Sequence, residues 1–297
     1  MTAADGEPRG PVAYVGGRLC PLAEASVPLT DRGLLFGDGV YEVYRLYRGR
    51  PFRLAQHLAR LDRSARAIRL APPSLDWPAV LGELVERNGL AGADATVYVQ
   101  LTRGAPASRG HAFPPAGTPP TVFALARPLA PPPAAWYERG VAAISRPDLR
   151  WGRCDIKSTS LLPNVLANQD AVDAGAWETV FVRDGVVTEG SHTNLMAVVD
   201  GVLVTHPEGP RILSGVTRAA VLEVAREIGI PVDERPLLRA ALARASEVLL
   251  TGTTTEVVPV TRLDGETVAG ERPGPVARRL RDGFRRLTSR SGGSEDP

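Results

Sequence analysis

Thr179-Val180-Phe181-Val182-Arg183-Asp184-Gly185-Val186-Val187-Thr188-Glu189-Gly190-Ser191 reads as two strands joined by a tight turn. Apolar and β-branched residues run up to Asp184-Gly185 and resume directly after it. Asp-Gly tolerates the left-handed backbone that a two-residue hairpin demands. Asn194 to Val199, Asp200-Gly201 and Val202 to Thr205 repeat the pattern. Strands joined this closely pair antiparallel, because a parallel pair needs a long crossover. Helical periodicity lies beside these hairpins and does not alternate with single strands. The chain is therefore read as α+β, not as a doubly wound parallel sheet.

Further out, Leu161 to Ala174 suits a helix with Pro163 near its start, and Val216 to Ile228 is amphipathic. Glu247 to Thr251 reads as a strand. In the first half, Val12 to Val15 with Gly16-Gly17 reads as a strand and turn, and Thr96 to Thr102 and Thr121 to Ala126 as strands. Val40 to Tyr47 is also a strand. Its period of two sets Val40, Glu42, Tyr44 and Leu46 on one face and Tyr41, Val43, Arg45 and Tyr47 on the other. Arg53 to Leu70 reads as a helix striped by Leu54, Leu58, Leu61, Ala65 and Ile68, with His57 and Arg60 one turn apart beside the stripe. Pro78 to Asn88 reads as another helix.

The proline-rich stretch Ala126 to Pro133 must run extended and breaks the chain near its middle. Two domains are expected: an N-terminal α+β domain over 1–126 and a C-terminal domain over 138–287. A linker over 127–137 would join them, and a Ser/Gly/acidic disordered tail would cover 288–297. The 297 residues, 43% hydrophobic and 23% charged, can bury a sizeable core. Net charge is +2 with pI ≈ 8.7, the arginines are spread out, and no nucleic-acid footprint emerges. Cys20 and Cys154 lie far apart without a CxxC, which indicates neither a disulfide framework nor a zinc site and suits a reducing cytoplasm. The start of the chain is polar and no long apolar run occurs, so neither secretion nor membrane insertion is expected.

Of the 35 lysines and arginines, only Lys157 is a lysine. Guanidinium stays protonated, whereas a desolvated amine can attack a carbonyl and form an imine. Lys157 is thus a candidate Schiff-base lysine, although GC-rich base composition can also leave one lysine behind. The commonest imine-forming cofactor is pyridoxal phosphate. Its phosphate needs backbone amides and hydroxyls or arginine, its ring nitrogen needs a carboxylate, and an amino-acid substrate needs a carboxylate trap. Leu213-Ser214-Gly215-Val216-Thr217-Arg218 opens a predicted helix, whose start suits an anion. Gly252-Thr253-Thr254-Thr255 offers hydroxyls after a strand. Read alone, these are also an ordinary helix start and a polar turn. Glu189 is a carboxylate beside a glycine after a hairpin. Arg109-Gly110-His111 puts two cationic-capable side chains in one loop, able to grip a carboxylate or to sit solvated.

Six motifs occur in one order: Asp31-Arg32-Gly33, Phe36 to Val43, Arg153 to Ser158, Thr188 to Ser191, Gly215 to Arg218 and Thr253 to Glu256. Together, over about residues 14–287, they resemble the fold-type IV pyridoxal-phosphate enzymes, most closely the D-amino-acid aminotransferases. The resemblance implies that the fold is the two-domain architecture of that family. It implies that Lys157 holds the cofactor and shuttles the substrate Cα proton, and that Glu189 pairs with the ring nitrogen. It implies a phosphate site of Arg60, Val216, Thr217 and Thr253, with Leu213 packed near the ring. Tyr41, Arg109 and His111 match the family's carboxylate trap, whose Arg and His come from the partner subunit of a homodimer. The implied reaction moves the amino group of a D-amino acid such as D-alanine to a 2-oxo acid such as 2-oxoglutarate. Branched-chain L-aminotransferases, R-selective amine transaminases and aminodeoxychorismate lyases share the cofactor motifs but do not normally carry the Arg-x-His pair. A non-enzymatic binder of the cofactor would be expected to lack Glu189 or the trap. Three places depart from the family pattern: Gly252 stands where Ser is usual, His192 interrupts a hydroxyl run, and Leu34-Leu35 are unusually apolar.

Overall fold

The structure, a computed structural model, describes residues 10–268 and 272–290. They form two compact units. The first takes the described residues up to Ala130 together with Ile156–Ser160, and the second takes Pro131–Asp155 and the described residues from Leu161 onward.

The first unit contains β1 (Val12–Val15), β2 (Arg18–Pro21), α1 (Arg32–Phe36), β3 (Gly39–Tyr47), β4 (Arg50–Pro51), α2 (Leu54–Ala67), α3 (Trp77–Arg87), β5 (Ala95–Thr102) and β6 (Thr121–Pro128). The strands make one antiparallel sheet in the order β2-β1-β6-β5-β3-β4. Alternation decides which face it buries. Val40, Tyr44 and Leu46 of β3, Val97, Val99 and Leu101 of β5, and Val122 and Ala124 of β6 share one core. Leu61 and Ala65 of α2 and Leu81, Leu84 and Val85 of α3 pack into the same core. Asp76 caps α3 by accepting from the Ala79 amide at 3.1 Å, satisfying a donor that a helix start leaves orphaned.

The second unit contains α4 (Ala134–Arg139), β7 (Val141–Pro147), α5 (Leu162–Asp173), β8 (Glu178–Arg183), β9 (Val186–Gly190), β10 (Asn194–Val199), β11 (Val202–Thr205), α6 (Val216–Glu227), β12 (Val232–Glu234), β13 (Leu237–Leu238), α7 (Arg239–Leu242), β14 (Glu247–Gly252), β15 (Glu256–Leu263), β16 (Glu266–Thr267) and α8 (Pro275–Arg290). Its mixed sheet runs β12-β11-β10-β14-β15-β7-β8-β9-β13, with β16 on β15. Only β7 is parallel to both neighbours. The two Asp-Gly hairpins form β8–β9 and β10–β11, with Asp184 and Asp200 at φ 52° and 51°, the left-handed backbone this turn requires. The molecule is α+β, as the hairpins suggested.

Element ends differ from expectation where proline acts. Arg127 and Pro128 finish β6, and Pro133 is the N-cap of α4, so only residues 129–133 of the expected 127–137 linker lack a regular element. Pro128 is tolerated because β6 is paired there on one side only, to Ala95. Helix α8 continues through Thr288 to Arg290, into the stretch expected as tail; residues 291–297 lie outside the described residues. β7 and β15 had no counterpart in the sequence reading. β15 carries Pro259 mid-strand, and its register with β7 shifts between Val260 and Arg262.

One charged cluster is built into the core face of β3. Glu42 is 1% exposed and accepts from Arg60 Nε at 2.9 Å and Nη2 at 2.6 Å, and its Oε1 lies 3.0 Å from His57 Nδ1. Burial alone would raise the Glu42 pKa; the Arg60 guanidinium and His57 outweigh it and hold the carboxyl far below the usual range. Glu42→Gln should therefore cost about 3–5 kcal/mol at pH 7, because it strands the buried guanidinium. The native carboxyl has a depressed pKa, so its contribution is present in full above the unfolded value of ~4.3 and fades as pH falls below it. Urea unfolding at pH 7 and again below pH ~4 should show the gap between wild type and variant shrinking.

Candidate active site

Lys157 belongs to the first unit, although the sequence reading grouped it with the C-terminal domain. Residues 156–160 lie along β3. Lys157 O accepts from the Tyr41 amide and the Thr159 amide donates to Gly39 O, both at 3.0 Å, and Ser158 bridges to Val40. The Lys157 amide donates to Ser64 Oγ at 3.1 Å, and Ile156 is buried in the core. The backbone of the lysine is thus held from both sides. Its half-buried side chain places Nζ 4.4 Å from the centroid of the Tyr41 ring. Tyr41 stacks on Tyr98 at 5.4 Å, and Tyr98 on Phe123 at 6.0 Å. Two expected site residues, Lys157 and Tyr41, are therefore neighbours. Arg60 is with Glu42, on the core face of the same strand.

Arg109 and His111 stand in the segment between β5 and β6, which has no helix or strand and is exposed from 107 to 113. Their side chains meet on one ring. Arg109 Cζ lies 4.6 Å from the Phe36 centroid, and the His111 ring lies 5.3 Å from it. The pair is thus brought together, while Tyr41 is placed with Lys157.

In the second unit Glu189 is the next-to-last residue of β9, with its side chain buried. Its Oε1 accepts from Arg150 Nη1 at 2.5 Å, and Oε2 accepts from Asn194 Nδ2 at 2.9 Å and the Leu213 amide at 3.0 Å. Burial raises the carboxyl pKa to about 7, against the opposing pull of Arg150. Arg150 is itself fixed, with Nε 2.9 Å from Asp148 Oδ1, Nη2 3.0 Å from Asp148 Oδ2, and its guanidinium 4.4 Å from the Phe181 centroid. Asn194 also donates to Leu213 O at 2.9 Å. A Cβ on Gly215, the N-cap of α6, would come 2.0 Å from Asn194 Oδ1, so any larger residue there would have to displace the Asn194 side chain. No side chain caps α6, which leaves its first-turn amides, those of Val216 and Thr217 among them, facing outward with the positive end of the helix dipole. Asn194 thus ties Glu189, Leu213 and the start of α6 into one assembly. Leu213 takes part through its backbone. Thr253 lies in the turn between β14 and β15, near Thr251, whose buried hydroxyl has no partner among the described residues.

A second buried carboxylate shapes the turn between Glu189 and Asn194. Glu178, 0% exposed, accepts from Ser191 N at 3.1 Å, Ser191 Oγ at 2.5 Å and Thr193 Oγ1 at 2.8 Å. His192 packs edge-on against Trp177 at 5.2 Å and lies 3.1 Å from Glu178, so the departure from a hydroxyl run is filled by packing. The sequence reading missed Asp148, Arg150, Asn194 and Glu178. Arg150 and Glu178 act across 39 and 13 positions, and Asn194 ties Glu189, five residues off, to Leu213, nineteen off, so no local pattern marks them.

Gly252 needs no special backbone. A Cβ there would meet Thr255 Oγ1 at 3.5 Å and Thr193 Cγ2 at 3.6 Å, ordinary contacts. Gly252→Ser should fold normally and tighten cofactor binding about fivefold by adding a hydroxyl donor for phosphate. Spectral titration of the apo-protein with pyridoxal phosphate measures this; weaker binding would show that the turn after β14 does not face the phosphate.

Residues 39–263 match the amino-transferase class IV family. A D-alanine aminotransferase of Bacillus licheniformis is 42% identical over 266 residues, covering 89% of this chain and 92% of that one. Among solved structures, the branched-chain amino acid aminotransferase of Escherichia coli superposes with a TM-score of 0.84 at 30% identity, covering 94% and 95% of the two chains. The enzyme of the same name from T.th., determined with pyridoxamine 5′-phosphate, gives 0.83 at 29%, covering 95% of each. The cofactor of this class is pyridoxal 5′-phosphate, and the chain carries the groups it needs: an amine at Lys157 in the first unit, and in the second a buried carboxylate at Glu189 and a helix start at α6 with no side-chain cap. The chain belongs to the class IV aminotransferases, the fold-type IV pyridoxal-phosphate enzymes.

Proposed function

We propose that the protein transfers the amino group of D-amino acids, D-alanine among them, to a 2-oxo acid such as 2-oxoglutarate in a ping-pong cycle. The observation that carries this reading is the convergence of Arg109 and His111 on Phe36. Two positively charged or polar groups on one aromatic support make a two-point grip for a planar carboxylate. Simple amines have no use for such a grip.

Bound pyridoxal 5′-phosphate supplies an aldehyde for the substrate amine and a ring that withdraws electrons from the substrate Cα. The protein's own groups do the rest. Lys157 would hold the cofactor, and its freed amine would take the substrate Cα proton as general base. The Tyr41 ring under Nζ favours the cation that Lys157 becomes. Glu189 keeps a negative charge for the ring nitrogen, with Arg150, Asn194 and the Leu213 amide stabilising the ionised form. The amides of Val216 and Thr217 hold phosphate, together with Thr253, and Leu213 packs near the ring; Arg60, expected at the phosphate from the sequence, is engaged by Glu42 on the core face of β3 instead. Arg109, His111 and Tyr41 bind the carboxylate.

The active unit is a homodimer in this reading, and the exposed apolar row Leu162, Val165, Leu166 and Val172 on α5 supports burial against a second copy. Cys20 and Cys154 are free and buried, in keeping with a cytoplasmic setting. Among the described residues no helix is long and apolar enough to cross a membrane.

A second reading, a branched-chain L-amino-acid aminotransferase, is favoured by the fold likeness to enzymes with that name. Addition of D-alanine and, separately, L-leucine to the holoenzyme distinguishes the two. Bleaching of the cofactor's visible band by D-alanine alone is expected; bleaching by L-leucine alone would overturn the D-specific reading. Lys157→Arg should abolish turnover in either case, and a variant with near wild-type rate would remove Lys157 from the reaction. Arg109→Ala should raise the D-alanine concentration for half-saturation by roughly a hundredfold, the loss of a charge-assisted pair.

A further inference from the structure

We infer that Arg32 and Phe36 of α1 are positioning residues for substrate carboxylate recognition, acting through Arg109 and His111; this rests on the carboxylate-trap reading above. Arg32 is 4% exposed. Its Nη1 donates to Gly110 O at 2.5 Å and Ala112 O at 3.1 Å, and Nη2 donates to His111 O at 3.2 Å. One guanidinium thus holds three consecutive carbonyls of an otherwise irregular, exposed segment. A buried arginine is expensive unless its donors are used, and here most of them are spent on this one tripeptide.

The hold is itself anchored. Arg32 Nε donates to Asp38 Oδ2 at 2.8 Å, and Asp38 also receives Arg103 Nε and Nη2 at 2.9 Å. Arg103 donates on to the Ile68 and Arg69 carbonyls, at 2.6 and 3.0 Å, and its guanidinium lies 3.8 Å from the Phe113 centroid. The Arg32 amide donates to Gly104 O at 2.9 Å, at the root of the same segment. Asp31 fixes α1 to the sheet, accepting from Thr102 Oγ1 at 2.8 Å and Thr121 Oγ1 at 2.5 Å, at the two strand ends that flank the segment. One turn after Arg32, Phe36 supports the Arg109 and His111 side chains. Helix α1 thus holds the backbone at one end and sets the side chains at the other.

A lysine at 32 keeps the charge but cannot span three carbonyls. Arg32→Lys should raise half-saturation for D-alanine at least about tenfold in single-turnover bleaching, with the limiting rate changed less than about threefold, since a displaced grip costs binding before chemistry. In an Arg109→Ala background the same substitution should change half-saturation by less than about twofold, the coupling expected of residues acting as one unit. Trypsin cleavage after Arg109, in the apo-protein and the holoenzyme alike, should be faster in Arg32→Lys. Phe36→Leu should repeat the half-saturation effect without touching the carbonyl hold, which covers the case in which Arg32→Lys does not fold. Unchanged half-saturation in Arg32→Lys and Phe36→Leu, with Arg109→Ala impaired, would overturn the positioning role alone. A full additional effect in the Arg109→Ala background would do the same. Unaltered half-saturation in Arg109→Ala itself would overturn the trap and the positioning role together.

Discussion

The two-residue alternation of β3 is the constraint from which the first unit follows. A strand presents successive side chains to opposite faces, so Tyr41 and Glu42 cannot serve the same environment. Glu42 falls on the core side, where a bare carboxylate is intolerable, and α2 answers with Arg60 and His57 one turn apart. Tyr41 falls on the other side and supports Lys157. The backbone of the same strand then carries the lysine segment by hydrogen bonds at Gly39 and Tyr41. One strand therefore orders a cation in the core, an aromatic surface and the amine of Lys157, and a one-residue slip would exchange all three.

The second unit solves a different problem with similar means. Glu189 is a carboxylate shut away from water beside a guanidinium, so burial and charge pairing oppose each other, and its raised pKa shows the opposition directly. Arg150 alone would settle the charge but would also claim the carboxylate. Asp148 draws that guanidinium back, and Asn194 with the Leu213 amide shares the other oxygen. Glu189 is thus held by three donors from three separate parts of the chain, and no single one of them fixes it. Glu178 has a simpler task. At the start of β8 and fully buried, it accepts from Ser191 and Thr193 and fixes the path of the chain from Glu189 to Asn194.

Much of this was legible in the chain. Hairpins at Asp184-Gly185 and Asp200-Gly201, the division of β3 into two faces and the helix around Arg60 all followed from short-range pattern. The singularity of Lys157 stood out because composition is visible without any structure. Pattern failed where partners are remote: Arg150 and Glu189 meet across 39 positions, Arg32 and Gly110 across 78. It failed also where proline stood, since Pro128 ends a strand and Pro259 sits within one. Ile156–Ser160 packs with the first unit although the chain on either side belongs to the second. That placement depends on pairing to β3, which no linear pattern announces.

The grip of Arg32 on residues 110–112 has one further property. It addresses carbonyl oxygens, which every amino acid carries, and ignores side chains. The segment can therefore exchange its side chains without losing its seat. In evolutionary terms it is an interchangeable insert in a fixed socket. Side chains at 110–112 can change by small steps that leave this hold, and the buried charge network of Arg32, Asp38 and Arg103 behind it, undisturbed.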